Sequence, residues 1–235
     1  MARKAPVAIV AAYNWTGFYA GVHAGYGWGS GDTSIGLTDV AGVLQAAAAL
    51  GIFPLGYSYD RDGYVAGGQI GYNFQSGRLV WGVEADISAT GIDGSATVTT
   101  NVIGFAFPNT SSVSQNMNWF GTVRGRFGVT VNNWLFFGTG GLAYGNVKYT
   151  YRQTNAPLGG INIFGTDSNV EIGWTVGGGI EYGFGPWSVK GEYLYYDLGD
   201  TTFSVPQNLV PTALFNPNFE NRGSIVRAGV NYRFN

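Results

Sequence analysis

The sequence predicts an all-β protein, an eight-stranded antiparallel transmembrane up-and-down β-barrel with short periplasmic turns and four long outer loops. Three observations predict it. Segments of about ten residues alternate between apolar side chains and small or polar ones, the pattern of a wall with lipid on one side and a lumen on the other. The connections between these segments alternate between short and long. Composition agrees: 11% of residues are charged, 16% are aromatic and 39 of 235 are glycine, against about 25% charged and about 7% Gly in ordinary soluble domains. Few charges with many rings and glycines suit a wall that meets lipid and curves tightly.

The first strand, around 14–30, sets Phe18, Ala20, Val22, Ala24, Tyr26 and Trp28 outward, with Gly17, Tyr19, Gly21, His23, Gly25 and Gly27 inward. The second, around 63–75, opposes Tyr64, Ala66, Ile70, Tyr72 and Phe74 to Gly67, Gln69, Gly71 and Asn73. After a turn at 75–78, the third opposes Leu79, Trp81, Val83, Ala85 and Ile87 to Gly82, Glu84, Asp86 and Ser88. The fourth, around 116–129, puts Met117, Trp119, Val123, Phe127 and Val129 outward, with Asn118, Thr122, Arg124 and Arg126 inward.

Asn132-Asn133 makes the next turn. The fifth strand, around 134–150, is apolar on both parities; Thr139 marks the inward one, so Trp134, Phe136, Leu142 and Tyr144 face out. The sixth, around 169–184, opposes Ile172, Trp174, Val176, Ile180, Tyr182 and Phe184 to Glu171, Thr175 and Glu181. Gly185-Pro186 turns into the seventh, around 187–197, with Trp187, Val189, Tyr193 and Tyr195 outward and Lys190 and Glu192 inward. The eighth, around 222–234, opposes Val226, Ala228, Val230, Tyr232 and Phe234 to Arg227, Asn231 and Arg233. Long connections at 31–62, 90–115, 151–168 and 198–221 read as outer loops. The whole forms one barrel domain over 14–235, preceded by a periplasmic segment over 1–13.

No run of 18 apolar residues exists, so no transmembrane helix is expected. The seven-residue run at 6–12 is at the minimum for the core of an export signal, and the chain reads as a mature form whose signal has been removed. Net charge is −2, which leaves no electrostatic footprint for nucleic acid, and the absence of cysteine excludes disulfides and thiolate chemistry. A soluble barrel would need a polar outer parity; here that parity is mostly glycine, while Trp28, Trp81, Trp119, Trp134, Trp187 and Tyr232 fall near strand ends, as interfacial girdles do.

Glu84, Asp86, Arg124, Arg126, Glu181, Lys190, Glu192, Arg227 and Arg233 all fall on the inward parity. A barrel of eight strands is only wide enough for side chains to fill it, so these charges are expected to pair. Glu84 and Asp86 lie beside Arg124 and Arg126, and Lys190 and Glu192 beside Arg227. Two roles fit: a network that stiffens a closed barrel, or the lining of a narrow, gated path.

The chain resembles the alphaproteobacterial small surface outer-membrane proteins, which group with opacity-type and OmpA-like barrels of the porin-family outer membrane β-barrels. Five segments carry the resemblance: Asn14-Trp15-Thr16-Gly17-Phe18-Tyr19-Ala20-Gly21, Gly67-Gly68-Gln69-Ile70-Gly71-Tyr72-Asn73, Trp119-Phe120-Gly121-Thr122-Val123-Arg124-Gly125-Arg126, Gly140-Gly141-Leu142-Ala143-Tyr144-Gly145 and Arg227-Ala228-Gly229-Val230-Asn231-Tyr232-Arg233-Phe234. It implies residence in a Gram-negative outer membrane, contact with lipopolysaccharide and other lipids, insertion by the barrel-assembly machinery, and a surface protein that supports the envelope. Family members typically end on an aromatic assembly signal; Phe234 fills that role here, followed by Asn235.

No enzymatic constellation, cofactor or metal site is expected. His23 is the sole histidine and reads as an inert luminal residue, since Gly25, next on its face, supplies no nucleophile. Asp60, Asp62, Asp93, Asp197 and Asp200 read as solvated charges, with divalent bridging to lipopolysaccharide as the alternative. Gly177-Gly178-Gly179 lacks a phosphate loop's strand-to-helix context and marks a close backbone approach. Ala46–Leu50, with Val43 and Leu44, is expected to form a short helix in the first outer loop. The leading function is a closed surface barrel displaying its loops; the alternatives are a narrow channel for small solutes or ions, then a lipid-modifying enzyme.

Overall fold

The computed structural model describes residues 13–39, 42–101, 108–155, 162–206 and 212–234, and its strands close into a barrel. In chain order they are β1 (Gly17–Thr38), helix α1 (Val43–Ala49), β2 (Gly56–Ser76), β3 (Leu79–Thr100), β4 (Asn109–Val131), β5 (Trp134–Asn155), β6 (Asn162–Phe184), β7 (Trp187–Thr202), the two-residue β8 (Val205–Pro206) and β9 (Leu214–Phe234). Each long strand pairs antiparallel with its neighbour, and β1 meets β9, with Phe18 opposite Phe234. The expected N-terminal segment over 1–13 falls outside the described residues except for Tyr13.

At one end, two residues join each hairpin. Gly77, Asn132 and Gly185 open these turns with φ of 60°, 54° and 55°, a left-handed backbone that Gly and Asn adopt at least cost. Tight turns at this end leave all the long connections at the other.

The outward rows are exposed and apolar: Val22, Ile70, Val83, Ile87, Val123, Phe127, Leu142, Val176, Val226 and Val230 form a belt. Rings border it. Trp119 packs on Tyr144 and Trp174 on Tyr195 near the loop end, while Phe74 stacks on Trp81 and Trp187 packs on Tyr232 near the turn end. About ten residues of each strand cross the belt, which at 3.4 Å per residue and a tilt near 40° makes it roughly 26 Å tall, the height of a bilayer's hydrocarbon core.

The strands do not stop there, and this corrects the expected loops. At 21–23 residues, β1 to β6 and β9 run about twice the length a membrane needs. Much of the segments read as outer loops is therefore strand. Above the belt the polarity inverts: Asp32, Ser34, Ser58 and Asp60 face out, while Ile35, Tyr57, Val113, Tyr151 and Phe215 are buried inside. Water has replaced lipid as the outer medium, so the same period-2 pattern points its apolar parity inward. β4 makes the change through a register shift between Met117 and Trp119. Met117, expected outward, is buried in the lumen, and Asn118, expected inward, is exposed. A bulge swaps the faces of everything beyond it.

α1 lies over this outer core. Leu44 is buried, Ala47 and Ala48 pack against the core, and the Leu44 amide donates to Asp39 Oδ2 at 2.8 Å.

Candidate functional site in the lumen

Inside the belt the lumen is polar, and its side chains meet across the barrel. Glu84 faces Arg124 in register, Glu192 faces Arg227, and Glu181 faces Lys190. Four carboxylates, Glu84, Asp86, Glu181 and Glu192, meet four cations, Arg124, Arg126, Lys190 and Arg227. The layer is charge-balanced, and all eight residues are buried.

Its contacts go beyond neighbouring strands. Arg124 reaches Glu84 at 2.6 Å, Asp86 at 2.9 Å and, across the lumen, Glu192 at 2.6 Å. Lys190 on β7 reaches Glu84 on β3 at 2.8 Å. Arg227 binds Asp86 at 2.9 Å and Glu192 at 2.8 Å, and Arg126 binds Glu181 at 2.7 Å. Glu84 is the hub, with Arg126 and Arg227 at 3.7 and 3.8 Å as well. Short, charge-assisted hydrogen bonds of this kind hold charges that would otherwise be prohibitive to bury.

Several neutral members were not singled out from the sequence. Tyr19 donates to Glu84 at 2.7 Å and accepts from Arg126 at 3.0 Å. Thr122 donates to Asp86, Ser188 and Asn231 donate to Glu181, and Gln69 donates to Asn231. The readable signal was their shared inward parity with the charges.

Arg233 is the departure from the expected network. It lies one layer toward the turn end, with its guanidinium over the rings of Tyr13 and Trp15 and a hydrogen bond to the Trp15 carbonyl. Among the described residues no carboxylate pairs with it. It sits at the end of β9 opposite Tyr19, and its guanidinium turns to Tyr13 and Trp15, away from the layer that the Tyr19 hydroxyl enters. Trp15, Val80, Leu135 and Phe137 pack here as a buried apolar plug. On the loop side the layer is covered by Phe120, Leu194, Tyr196, Ile225 and the outer core beyond them.

His23 is buried and faces the lumen. Its Nε2 lies 2.7 Å from Ser88 Oγ and 3.3 Å from Arg227 Nη1, and its Nδ1 contacts Gln69 Oε1. The sequence places Ser88 on the inward parity but does not pair it with His23, because the two stand on different strands, β3 and β1. The pair has the outline of a base and a hydroxyl, yet an amide holds Nδ1 and Ser88 is 1% exposed. A nucleophile needs room for substrate beside it.

The other candidates lie elsewhere. Asp60, Asp62 and Asp93 are exposed on the outer wall above the belt, Asp62 accepting a hydrogen bond from Tyr26. Asp200 and Glu220 flank Arg222 at 4.0 and 3.0 Å. Among the described residues no group of three or more His, Cys, Asp or Glu is arranged to hold a metal. A side chain on Gly177 or Gly179 would overlap the carbonyl of Tyr193 or Gly191, so these glycines bring strand backbones together. Phe234 is exposed on the belt beside Phe18.

Comparison with known proteins agrees with this architecture. The chain is 33% identical to a 31 kDa outer-membrane immunogenic protein of Brucella melitensis, over 98% of this chain and 89% of that one. It is 31% identical to a 22 kDa outer membrane protein of Rhizobium leguminosarum, over 86% of this chain and 76% of that one. Its fold is similar to the outer membrane protein OprG of Pseudomonas aeruginosa, with a TM-score of 0.51, 13% identity and coverage of 93% and 96% of the two chains. The family model for the outer membrane protein beta-barrel domain matches residues 5–234. With a lipid-facing belt, a closed strand ring and that match across nearly its whole length, the chain belongs to the outer membrane β-barrel domain family and is an outer-membrane protein.

Proposed function

We propose that this protein is a closed outer-membrane scaffold that supports the envelope and presents the outer end of its barrel as an interaction surface, without enzymatic activity. One observation carries the closed reading: the Arg124–Glu192 and Lys190–Glu84 pairs join opposite walls of the lumen at 2.6 and 2.8 Å. Solute passage would break these buried contacts together, and apolar plugs lie on both sides of them. The exposed rings of the belt support contact with lipids and lipopolysaccharide, and Phe234 at the barrel seam supports recognition by the assembly machinery. The buried, amide-held His23 supports the non-enzymatic reading.

Planar-bilayer recording tests it. The purified barrel is expected to give no regular current steps, and Arg124→Ala to raise leak through a loosened layer. Reproducible single-channel steps in the wild type, abolished by changes at Arg124 or Glu84, would establish the narrow channel instead.

A further inference from the structure

The barrel wall is incomplete above the membrane. β5 stays paired to β6 up to Thr154 opposite Asn162, but β6 pairs with β7 only from Phe184 to Trp174. Beyond Trp174 and Asp197 the two strands separate. The cause is on β7, whose register with β9 shifts between Asp197 and Asp200, with Gly199 in a left-handed conformation at φ 78°. From there β7 leans into the barrel: Thr201 Oγ1 lies 3.3 Å from Tyr149 Oη, and the Phe203 ring lies 6.5 Å from that of Tyr149 and stacks on Phe219.

Among the described residues, 162–173 of β6 pair with no strand on the side away from β5; this edge stands above the aromatic girdle, with β8 lying close to its inner side. On every second residue the N–H and C=O point away from β5, toward the seam. The seam is wet. Inward-parity Asp167, Asn169 and Glu171 on β6 are partly or fully exposed, whereas Val147, Tyr149 and Tyr151 on the paired face of β5 are buried. Its inner side is floored by Phe203 and Val205, which lie against Gly165.

We propose that this edge binds a basic, extended polypeptide segment of a partner, which adds to β6 as an extra strand and fills the seam. Strand addition uses the backbone for affinity and alternate side chains for selectivity. Charge selects the basic class: Asp167 and Glu171 sit on the inward parity of this stretch, accepting from Asn169 and the Tyr149 hydroxyl, and Asp197, which accepts from the Gly199 amide, stands where the seam closes; among the described residues none of the three is paired with a cation. Nearby cations are engaged or face away. Arg152 stacks over Phe164, Arg222 lies against Glu220, and Lys148 projects outward from β5. Exposed Phe164, Val170 and Ile172 offer apolar contacts on the outer face.

A second copy does not fit the edge. Two upright barrels are related by an axis along the membrane normal, and strands tilted about 40° would then cross at roughly 80°, too steep for a shared ladder. The proposal rests on reading the outer end as an interaction surface and is independent of whether the lumen conducts.

The test uses the whole protein folded in detergent and a labelled peptide of about twelve residues alternating Lys with Thr and Val, which is strand-forming and basic. Fluorescence anisotropy reads binding, with two N-methylated forms of the peptide, blocked at odd or at even positions. One form faces β6 and is expected to bind at least about tenfold more weakly than the parent, while the other binds as the parent does. Hydrogen exchange is expected to slow within 162–173 and not in the paired β1 and β2 residues of the rim. The triple variant Asp167→Asn, Glu171→Gln, Asp197→Asn, checked for unaltered heat-modifiable migration, is expected to weaken binding several-fold. Equal binding of both methylated forms would leave mere charge attraction and overturn the proposal, as would no binding of the parent. Protection of 162–173 in a dimer without peptide would assign the edge to a second copy and overturn it too.

Discussion

Removing Glu84 is the sharpest probe of the luminal layer. Its carboxylate receives Arg124 at 2.6 Å, Lys190 at 2.8 Å and Tyr19 at 2.7 Å, with Arg126 and Arg227 just beyond. In Glu84→Ala, four buried cations face three carboxylates. Two unit charges 3 Å apart interact by about 5 kcal/mol at an effective dielectric constant near 20, a gross figure that desolvation partly cancels. Deleting one partner of a buried pair typically costs about 3–5 kcal/mol, because the other charge stays behind. Glu84 serves several cations, so the upper end of that range is expected. Lys190→Met in the same chain restores the balance, and the double variant is expected to recover about 1–3 kcal/mol relative to additivity. The assay is urea unfolding in lipid vesicles, followed by tryptophan fluorescence and heat-modifiable migration. If Glu84→Ala costs less than about 1 kcal/mol, as a solvated surface pair would, the lumen holds enough water to screen its charges. The layer would then not be sealed.

Other outcomes follow from the wall and the outer core. Gly25→Ala is expected to destabilise the barrel by about 1–3 kcal/mol in the same unfolding assay, because strands must move apart to relieve overpacking: its Cβ would overlap the Val226 carbonyl and Arg227 Cα. Gly191→Ala, with open space around it, serves as the neutral control. Val83→Arg, in the middle of the lipid-facing row, is expected to cost about 2–4 kcal/mol, whereas Ser34→Arg above the belt leaves the unfolding midpoint unchanged. Burial in the outer core pushes the Tyr149 and Tyr151 phenols well above their ordinary 10.0. Their raised folded-state values mean that their contribution to stability is complete below pH 10 and declines above it. An alkaline absorbance titration should therefore show these two ionising only as the outer core opens, and ordinary titration of both in the folded protein would contradict that.

The strands within the membrane were legible because one rule covers them: lipid outside and a narrow polar lumen inside force a period of 2 on every segment. The inward list of charges followed from the same parity. What parity does not carry is distance around the ring. That Lys190 on β7 meets Glu84 on β3, that Ser88 meets His23, and that Arg233 falls a layer short depend on barrel diameter and stagger, which no single strand records. The outer half is hidden in the sequence for a related reason. Above the belt Ile35, Tyr57 and Phe215 carry the same alternation with its sign reversed, so the apolar outward parity ends where the outer medium changes.

The sequence alone therefore determined the strand count, the closed antiparallel ring, the lipid-facing rows and the polar filling, since each follows from local alternation, turn chemistry and composition. The tertiary structure alone decided which charges pair, where the alternation inverts, and that β7 leaves β6 at Asp197 to open a seam. Those are products of closure: side chains from strands far apart in sequence share one narrow space, and their contacts exist only once the ring has formed.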